Sequence, residues 1–207
     1  MSKERPLSRL VQGDVGSGKT VVAAMAMLHV AKSGYQAVMM APTSILAGQH
    51  YRSLQKLLAD SDLKIALLTG QTPAAERRTL LSETSDGSID ILVGTHAVLE
   101  DRVSFRDLAL AVTDEQHRFG VRQRIRLTKD DHRVPHVLVM SATPIPRTLG
   151  LILYGDLDIS NIDEMPAGRK DILTYTATTQ DYARVLSIMA KYLARGEQVY
   201  VICPLVR

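Results

Sequence analysis

The chain has 207 residues, 45% of them hydrophobic and 23% charged, and its net charge of +3 is too small to indicate a polyanionic partner by itself. Its single cysteine, Cys203, excludes a disulfide framework or a cysteine-rich zinc site and fits a reducing compartment. Since no apolar stretch approaches the roughly 18–20 residues that span a bilayer, and the first residues lack the apolar core of a signal peptide, we expect a soluble cytoplasmic protein.

Short β-rich runs alternate with longer helical patterns along most of the chain. This alternation predicts an α/β fold in which helices cover both faces of a parallel sheet and so make three layers. The predicted strands, in chain order, are residues 10–12, 37–40, 65–68, 89–93, 108–113 and 136–140. The predicted helices are residues 19–32, 45–59, 73–83 and a shorter one near 121–127, and Thr72 is placed to cap the third of them.

The composition changes after Tyr154. Residues 155–169 are rich in turn formers and charge, which predicts a connector over 155–171. A strand, a helix and a strand are predicted next, at 172–177, 181–194 and 198–203. Such a unit cannot bury its own core, so it either packs on the first domain or begins a second one, and the abrupt end of the chain favours the second alternative. We therefore expect a first domain at 1–154 and a truncated second domain at 172–207.

A glycine-rich loop is the first motif with chemical meaning. Residues 13–20 match the pattern G-x-x-x-x-G-K-S/T in full, as Gly13, Asp14, Val15, Gly16, Ser17, Gly18, Lys19 and Thr20. The glycines let successive N–H groups face one anion, and the start of a helix adds partial positive charge at the same point. Lys19 supplies a charge for the β- and γ-phosphates, and the Thr20 hydroxyl is placed to bind Mg²⁺. The motif therefore indicates a nucleoside triphosphate site rather than a turn without a ligand.

Two carboxylates follow the apolar strand at 108–113. Asp114 is assigned to coordination of Mg²⁺, directly or through water, and Glu115 to activation of the attacking water. Gln116 and His117 are expected to sense the γ-phosphate and to couple it to another domain. The alternative, an acidic turn after a buried strand, is disfavoured by the glycine-rich loop upstream, because ligands of open α/β sheets bind at the carboxyl ends of the strands.

Residues 114–117 form a D-E-x-H box, which is typical of superfamily 2 helicases and translocases. The longer segment 114–121, together with 13–20, 41–50 and 141–149, closely resembles the RecG family of DNA helicases, and 154–158 and 166–170 resemble that family's inter-domain stretch. Transcription-repair coupling translocases usually carry D-E-E-H where this chain has Gln116. That position favours the RecG family, while an RNA helicase is disfavoured by the extension of the box.

The resemblance implies a RecA-like domain with a doubly wound parallel sheet, plus a short β-α-β remnant of a second RecA-like domain. It also implies ATP and Mg²⁺ as cofactors and hydrolysis coupled to movement on forked or branched DNA in recombination and repair. Blocks after three strands would grip DNA phosphates without reading bases, through Pro42, Thr43, Gly70, Thr95 and His96. The block Ser141, Ala142 and Thr143 would link hydrolysis to domain movement. Each block by itself is equally compatible with a loop stabilised by a hydroxyl group.

Basic residues are dense directly after the D-E-Q-H box, at Arg118, Arg122, Arg124, Arg126 and Lys129. Arg122 and Arg124 are assigned to DNA phosphates, the alternative being a solvated helical face. His132 and His136 are interpreted as structural or surface residues, because no further metal-ligating residues cluster beside them.

Three parts that the resemblance leads us to expect are missing. No glutamine-bearing segment that contacts adenine precedes Leu10, so a preference for ATP over GTP follows from the resemblance alone. The second motor domain with its arginine finger and the wedge domain are also missing, so the 207 residues by themselves are expected to bind Mg–nucleotide weakly and to unwind nothing. A nucleotide-dependent binding module without turnover is the alternative from a different class.

Overall fold

The computed structural model describes residues 6–100, 102–114, 134–142, 158–164 and 172–203. The chain forms two compact units, residues 1–167 and 168–207, and each is described by itself. In the described part of the chain, no helix is both long and apolar enough to cross a membrane.

The first unit alternates strands and helices, as expected. Its strands are β1 (Ser8–Gly13), β2 (Gln36–Met40), β3 (Ile65–Leu68), β4 (Ile91–Gly94), β5 (Leu108–Asp114), β6 (His136–Ser141) and β7 (Asp158–Ile162). Its described helices are α1 (Lys19–Lys32), α2 (Ser44–Leu57) and α3 (Ala74–Ser85), with short 3-10 turns at Ala59–Ser61 and His96–Leu99.

The seven strands form one sheet in the order β3-β4-β2-β5-β6-β1-β7, and every recorded pairing is parallel. One face packs against α1 and α2, through side chains such as Met27 and Leu54, and the other packs against α3 through Leu80 and Leu81. These observations confirm the three-layer, doubly wound α/β fold. Because the strands are parallel, their carboxyl ends meet at one edge, which is where this fold class places its ligands.

In the first unit, most predicted boundaries lie within one or two residues of the observed ones, but one segment differs in kind. Residues expected to form part of a connector instead make β7, which pairs with β1 in register from Arg9 against Asp158 to Gly13 against Ile162. The Arg9 guanidinium donates to Ser160 Oγ over 2.6 Å and to Asp158 Oδ2 over 3.0 Å. An edge strand that is half exposed tolerates polar residues, and so its composition resembled that of a connector.

The second unit contains one described helix, α4 (Tyr182–Ala194), which follows a 3-10 turn at Thr179–Asp181. The Asp181 N–H donates to the Thr178 side chain and the Thr178 N–H donates to Asp181 Oδ2, which makes a capping box before the helix. Hydrogen bonds from the Thr178 backbone and hydroxyl to this carboxyl hold its pKa below the usual value. The strands predicted at 172–177 and 198–203 do not form, and Ile172 and Ile202 are 75% and 94% exposed. A strand requires a neighbour for its backbone groups, and sequence pattern does not supply one. The domain limits proposed above stay a prediction.

Two smaller predictions meet different outcomes. Thr72 does not cap α3; its hydroxyl oxygen instead accepts from the Thr69 N–H over 3.0 Å, and the helix begins after Pro73. The helix expected near 121–127 lies outside the described residues.

A buried glutamine ties together the amino-terminal edge of the sheet. Gln36, 5% exposed, donates from Nε2 to the carbonyl oxygens of Thr84 and Ile89 over 2.9 and 2.8 Å. Its Oε1 accepts from the N–H groups of Arg106 and Asp107 over 2.8 and 3.1 Å. One side chain therefore satisfies four backbone groups from the end of α3, the loop before β4 and the loop before β5.

Gln36→Leu is expected to lower the free energy of unfolding by about 3–5 kcal/mol, since a buried backbone group without a partner costs about 1–3 kcal/mol. Gln55→Leu is the matched control, because Gln55 is exposed and its Nε2 donates to Tyr51 Oη on the same helix over 2.9 Å. Urea denaturation of both variants in one background measures the difference. Equal midpoints would show that water can replace the Gln36 amide.

Candidate functional site

The glycine-rich loop and Asp114 lie at the same edge of the sheet. Val11 of β1 and Asp114 of β5 both pair with Met140 of β6, so they lie at the same level. They are two strands apart, which is roughly 10 Å at a strand spacing of about 4.8 Å. Side chains alternate along a strand, so Asp114 shares a face with Val112, which packs in the core under α1 and α2. Helix α1 begins in the loop itself, on that same face.

The loop has the backbone conformation that its glycines predict. Gly16 and Gly18 have φ of 82° and 94°, in the left-handed region that favours glycine. At Gly13 the requirement is space, because a Cβ there would lie 2.5 Å from Ser17 Oγ and 3.0 Å from Ile162 Cβ. Ile162 ends β7, so the strand that sequence reasoning missed also shapes the loop. The alternation of Leu157 and Ile159 with aspartates is a weak signal in the sequence that could have indicated it.

Lys19 is turned back onto the loop. Its Nζ donates to the carbonyl oxygens of Gly13 and Asp14, each over 2.7 Å. The Asp14 carbonyl also accepts from the Ser17 N–H over 3.1 Å, and Asp14 Oδ1 accepts from the Val15 N–H over 2.7 Å. An ammonium group held by two neutral carbonyls can exchange them for phosphate oxygens, with which its hydrogen bonds are stronger.

The start of α1 fits an anion. Gly18 precedes the helix without offering a side chain, and the first turn contains no acidic residue. At α2, by contrast, Thr43 Oγ1 accepts from the Leu46 N–H over 3.2 Å. The buried Ser17 hydroxyl in the loop also has no partner among the described residues. Uncapped N–H groups at a helix start and a nearby ammonium are what a phosphate chain requires.

The donors near the loop fit Mg²⁺ held together with phosphates. Thr20 supplies a hydroxyl and Asp114 a carboxylate, and Mg²⁺ prefers such oxygen ligands along with substrate phosphates and water. In the described ranges, no group of three or more His, Cys, Asp or Glu side chains could hold a metal ion by itself. Thr20 and Asp114 together offer two oxygen ligands, and a Mg²⁺ ion held by them would take others from phosphate and water.

Asp114 has a partner that sequence reasoning did not identify. His50 of α2 lies with its Nε2 2.5 Å from Asp114 Oδ2, and the two side chains are 12% and 18% exposed. His50 ends the segment 41–50 that carried part of the family resemblance, but nothing in that segment indicates which residue the imidazole meets.

Three loops follow β2, β3 and β4 at the same edge, and we call them the strand-end ridge: residues 41–43, 69–70 and 94–96. Backbone bonds join them, from the Ala41 N–H to Gly94 O over 2.9 Å and from the Thr95 N–H to Leu68 O over 3.4 Å. The residues assigned to DNA are accessible on this ridge: Thr43, Gly70 and His96 are exposed, and Pro42 and Thr95 are half-buried. The ridge and the glycine-rich loop thus occupy two halves of one edge.

The remaining candidates are placed only in part. Ser141 is buried at the end of β6, in register with Gln12 of β1, and Ala142 follows it. Six candidates lie outside the described residues: Glu115, Gln116, His117, Arg122, Arg124 and Thr143. His136 Nδ1 accepts from the Leu7 N–H over 2.7 Å, and burial lowers the pKa of its imidazole. This contact supports a structural role for His136.

Comparison with known proteins adds three findings. Residues 4–152 match the model of the family described as DEAD/DEAH box helicase. The ATP-dependent DNA helicase RecG of Aquifex aeolicus is 49% identical over 207 residues, which are 100% of this chain and 26% of that protein. The RecG of Bacillus subtilis is 51% identical over 206 residues, which are 100% of this chain and 30% of that protein.

Solved structures agree with these relatives. A structure of RecG bound to a three-way DNA junction is similar with a TM-score of 0.83 and 41% identity, over 99% of this chain and 27% of that one. The helicase MrfA bound to DNA and AMPPNP shares the fold, with a TM-score of 0.65 and 21% identity over 90% of this chain and 30% of that one. The chain spans between about a quarter and a third of the relatives it matches.

Proposed function

Because this chain belongs to the DEAD/DEAH box helicase family and is homologous over its whole length to RecG, we propose that it provides the ATP-binding domain of a DNA helicase motor. The observation that carries the proposal is the shared edge: Asp114 is level with Val11 of β1, two strands away, and the glycine-rich loop begins two residues after Val11. A loop for the triphosphate and a carboxylate for its metal are the two anchors that such hydrolysis requires.

In this proposal Lys19 leaves the carbonyl oxygens of Gly13 and Asp14 and binds the β- and γ-phosphates, while the first N–H groups of α1 hold the same phosphates. Thr20 and Asp114 hold Mg²⁺, which when bound neutralises charge that develops on the phosphates. Glu115 orients the attacking water and accepts its proton. Gln116 and His117 lie next along the chain and report the state of the γ-phosphate.

The strand-end ridge is the proposed path of the nucleic acid. Thr43 Oγ1 uses an oxygen lone pair for the Leu46 N–H, so its own O–H stays available to donate to a phosphate. Gly70 exposes backbone, and Thr95 and His96 add polar groups. Contacts of this kind hold the phosphate backbone without reading sequence, as a moving motor needs. Arg122 and Arg124 are proposed to add charge along the same path.

The proposed substrate is forked or branched DNA, remodelled in recombination and repair. Support comes from the similar RecG structure, which is described as bound to a three-way DNA junction. Ser141 ends β6 and Ala142 follows it, between the strands that carry Asp114 and the glycine-rich loop, and Thr143 comes next in the sequence. This position is suited to transmitting the structural effect of ATP hydrolysis to a second motor domain, which is the proposed partner on the other side of the nucleotide.

ATP turnover by the complete polypeptide, measured without nucleic acid and with forked DNA, linear duplex or RNA, tests the proposal. Forked DNA is expected to raise turnover at least about tenfold, which corresponds to about 1.4 kcal/mol of the barrier. Absence of turnover under every condition would indicate a nucleotide-dependent binding module instead. Equal stimulation by RNA would reject a DNA-specific motor.

A further inference from the structure

His50 is the polar member of the buried stripe of α2. Ala47 and Leu54, both fully buried, lie three residues before and four residues after it, the spacing of one helical face. The imidazole meets Asp114 of β5, 64 residues away in sequence. An ionised carboxylate only accepts hydrogen bonds, so Nε2 of His50 donates to Asp114 Oδ2.

The same helix begins in the strand-end ridge. Thr43 caps α2 through its side chain, and its carbonyl oxygen accepts from the Ala47 N–H over 2.9 Å. From Thr43 to His50 the helix advances seven residues, or roughly 10 Å at about 1.5 Å per residue. A hydrogen-bonded helix transmits displacement along its axis, so one rigid segment connects the proposed DNA contact to the metal-site carboxylate.

We propose that His50 is a positioning residue that orients the Asp114 carboxylate for the Mg–nucleotide. Through His50, helix α2 transmits the effect of DNA binding at Thr43 to that carboxylate. The inference rests on the proposed function and adds a residue to it. His50 occupies one carboxylate oxygen, Oδ2, and so fixes the rotation of the group; the other oxygen, Oδ1, would be the one left for a metal ion or its water. A leucine would pack in this stripe as well, but it would leave both oxygens free to rotate.

Loss of this contact has a specific signature. Partners that orient a metal ligand typically contribute roughly 10–100-fold to metal affinity or activity. His50→Leu is therefore expected to raise, at least about tenfold, the Mg²⁺ concentration at which a fluorescent, non-hydrolysed ATP analogue binds half-maximally. The stimulation of turnover by forked DNA is expected to fall by a similar factor, while affinity for the DNA itself stays within about twofold.

The experiment compares four variants of the complete polypeptide. His50→Gln retains an N–H at similar reach and is expected to recover most of both losses, whereas His50→Asn is too short and is expected to resemble His50→Leu. His29→Leu is the control, since His29 is exposed near the end of α1. If His50→Leu does not fold, the Mg²⁺ midpoint and the stimulation by forked DNA are measured with His50→Asn, for which the same losses are expected. An unchanged Mg²⁺ midpoint and DNA stimulation in His50→Asn would overturn the inference, as would equal losses in His50→Gln and His50→Asn.

Asp114→Asn separates this inference from the proposed function. If it abolishes turnover while His50→Leu and His50→Asn leave both readouts unchanged, only the inference about His50 fails. If Asp114→Asn leaves turnover intact, the metal role of Asp114 fails, and the inference about His50 fails with it.

Discussion

Lys19→Ala is expected to lower kcat/KM for ATP hydrolysis roughly 10²–10³-fold in the complete polypeptide, the range seen when one preorganised donor is removed from a reacting group. The reason is positional: Lys19 Nζ lies over the loop carbonyls of Gly13 and Asp14, at 2.7 Å from each, where a phosphate would compete for it. Lys19→Ala should also weaken the binding of a fluorescent ATP analogue, because the ammonium group contacts the bound nucleotide before the reaction as well.

Lys32→Ala is the matched control at the other end of the same helix. Lys32 Nζ donates to Ser61 O over 2.6 Å, far along α1 from the loop. The kcat/KM of Lys32→Ala is expected to stay within about twofold of the value for the unmodified protein. Glu115→Gln completes the comparison, because an amide cannot accept the proton of the attacking water, so turnover should be lost while binding is retained. Tight nucleotide binding by Lys19→Ala would contradict the assignment of the loop.

Gly94→Ala is expected to destabilise the fold by about 1–3 kcal/mol or more, as overpacking of a close-packed site does. A Cβ at Gly94 would lie 2.6 Å from Val98 Cγ1 and only 2.1 Å from the carbonyl oxygen of Leu68, which is backbone and cannot rotate away. The same carbonyl accepts from the Thr95 N–H over 3.4 Å, so the strand-end ridge should be displaced too. DNA-stimulated turnover is expected to fall with stability.

Gly48→Ala tests whether this cost is due to space rather than to the residue type. Gly48 lies within α2, and a Cβ there would meet nothing within 4 Å. Since glycine in a helix interior costs about 1 kcal/mol relative to alanine, Gly48→Ala should raise the free energy of unfolding. Urea denaturation of both variants gives the comparison. Similar midpoints for the two would show that β3 and β4 can separate to admit a methyl group.

Short-range signals made a large part of the molecule predictable. Helix α1 has the predicted bounds, Lys19–Lys32, because a left-handed glycine precedes it and an apolar pattern runs through it. The bounds of β3 also agree, at Ile65–Leu68. Asp114 ends its strand, as its place after an apolar run predicted. Each of these depends on residues within a few positions along the chain.

Long-range pairing accounts for what the sequence left open. Strand β7 exists because residues 158–162 pair with β1. Arg9 of β1 also contacts Asp158 and Ser160, which are 149 and 151 positions away along the chain. The contact that His50 makes is set by tertiary packing, because α2 lies over β5 and brings the His50 imidazole to Asp114. The strands predicted at 172–177 and 198–203 had the right composition but found no neighbour in the described chain.

The sequence by itself determined the glycine-rich loop, the carboxylate at the end of β5 and the α/β layering, because spacing and periodicity express them locally. Tertiary structure alone decided that β7 pairs with β1 as far as Gly13, that His50 contacts Asp114 and that Gln36 joins three separate segments. Backbone and side-chain polar groups must find partners when water is removed, and the partner is chosen by packing in space rather than by position along the chain.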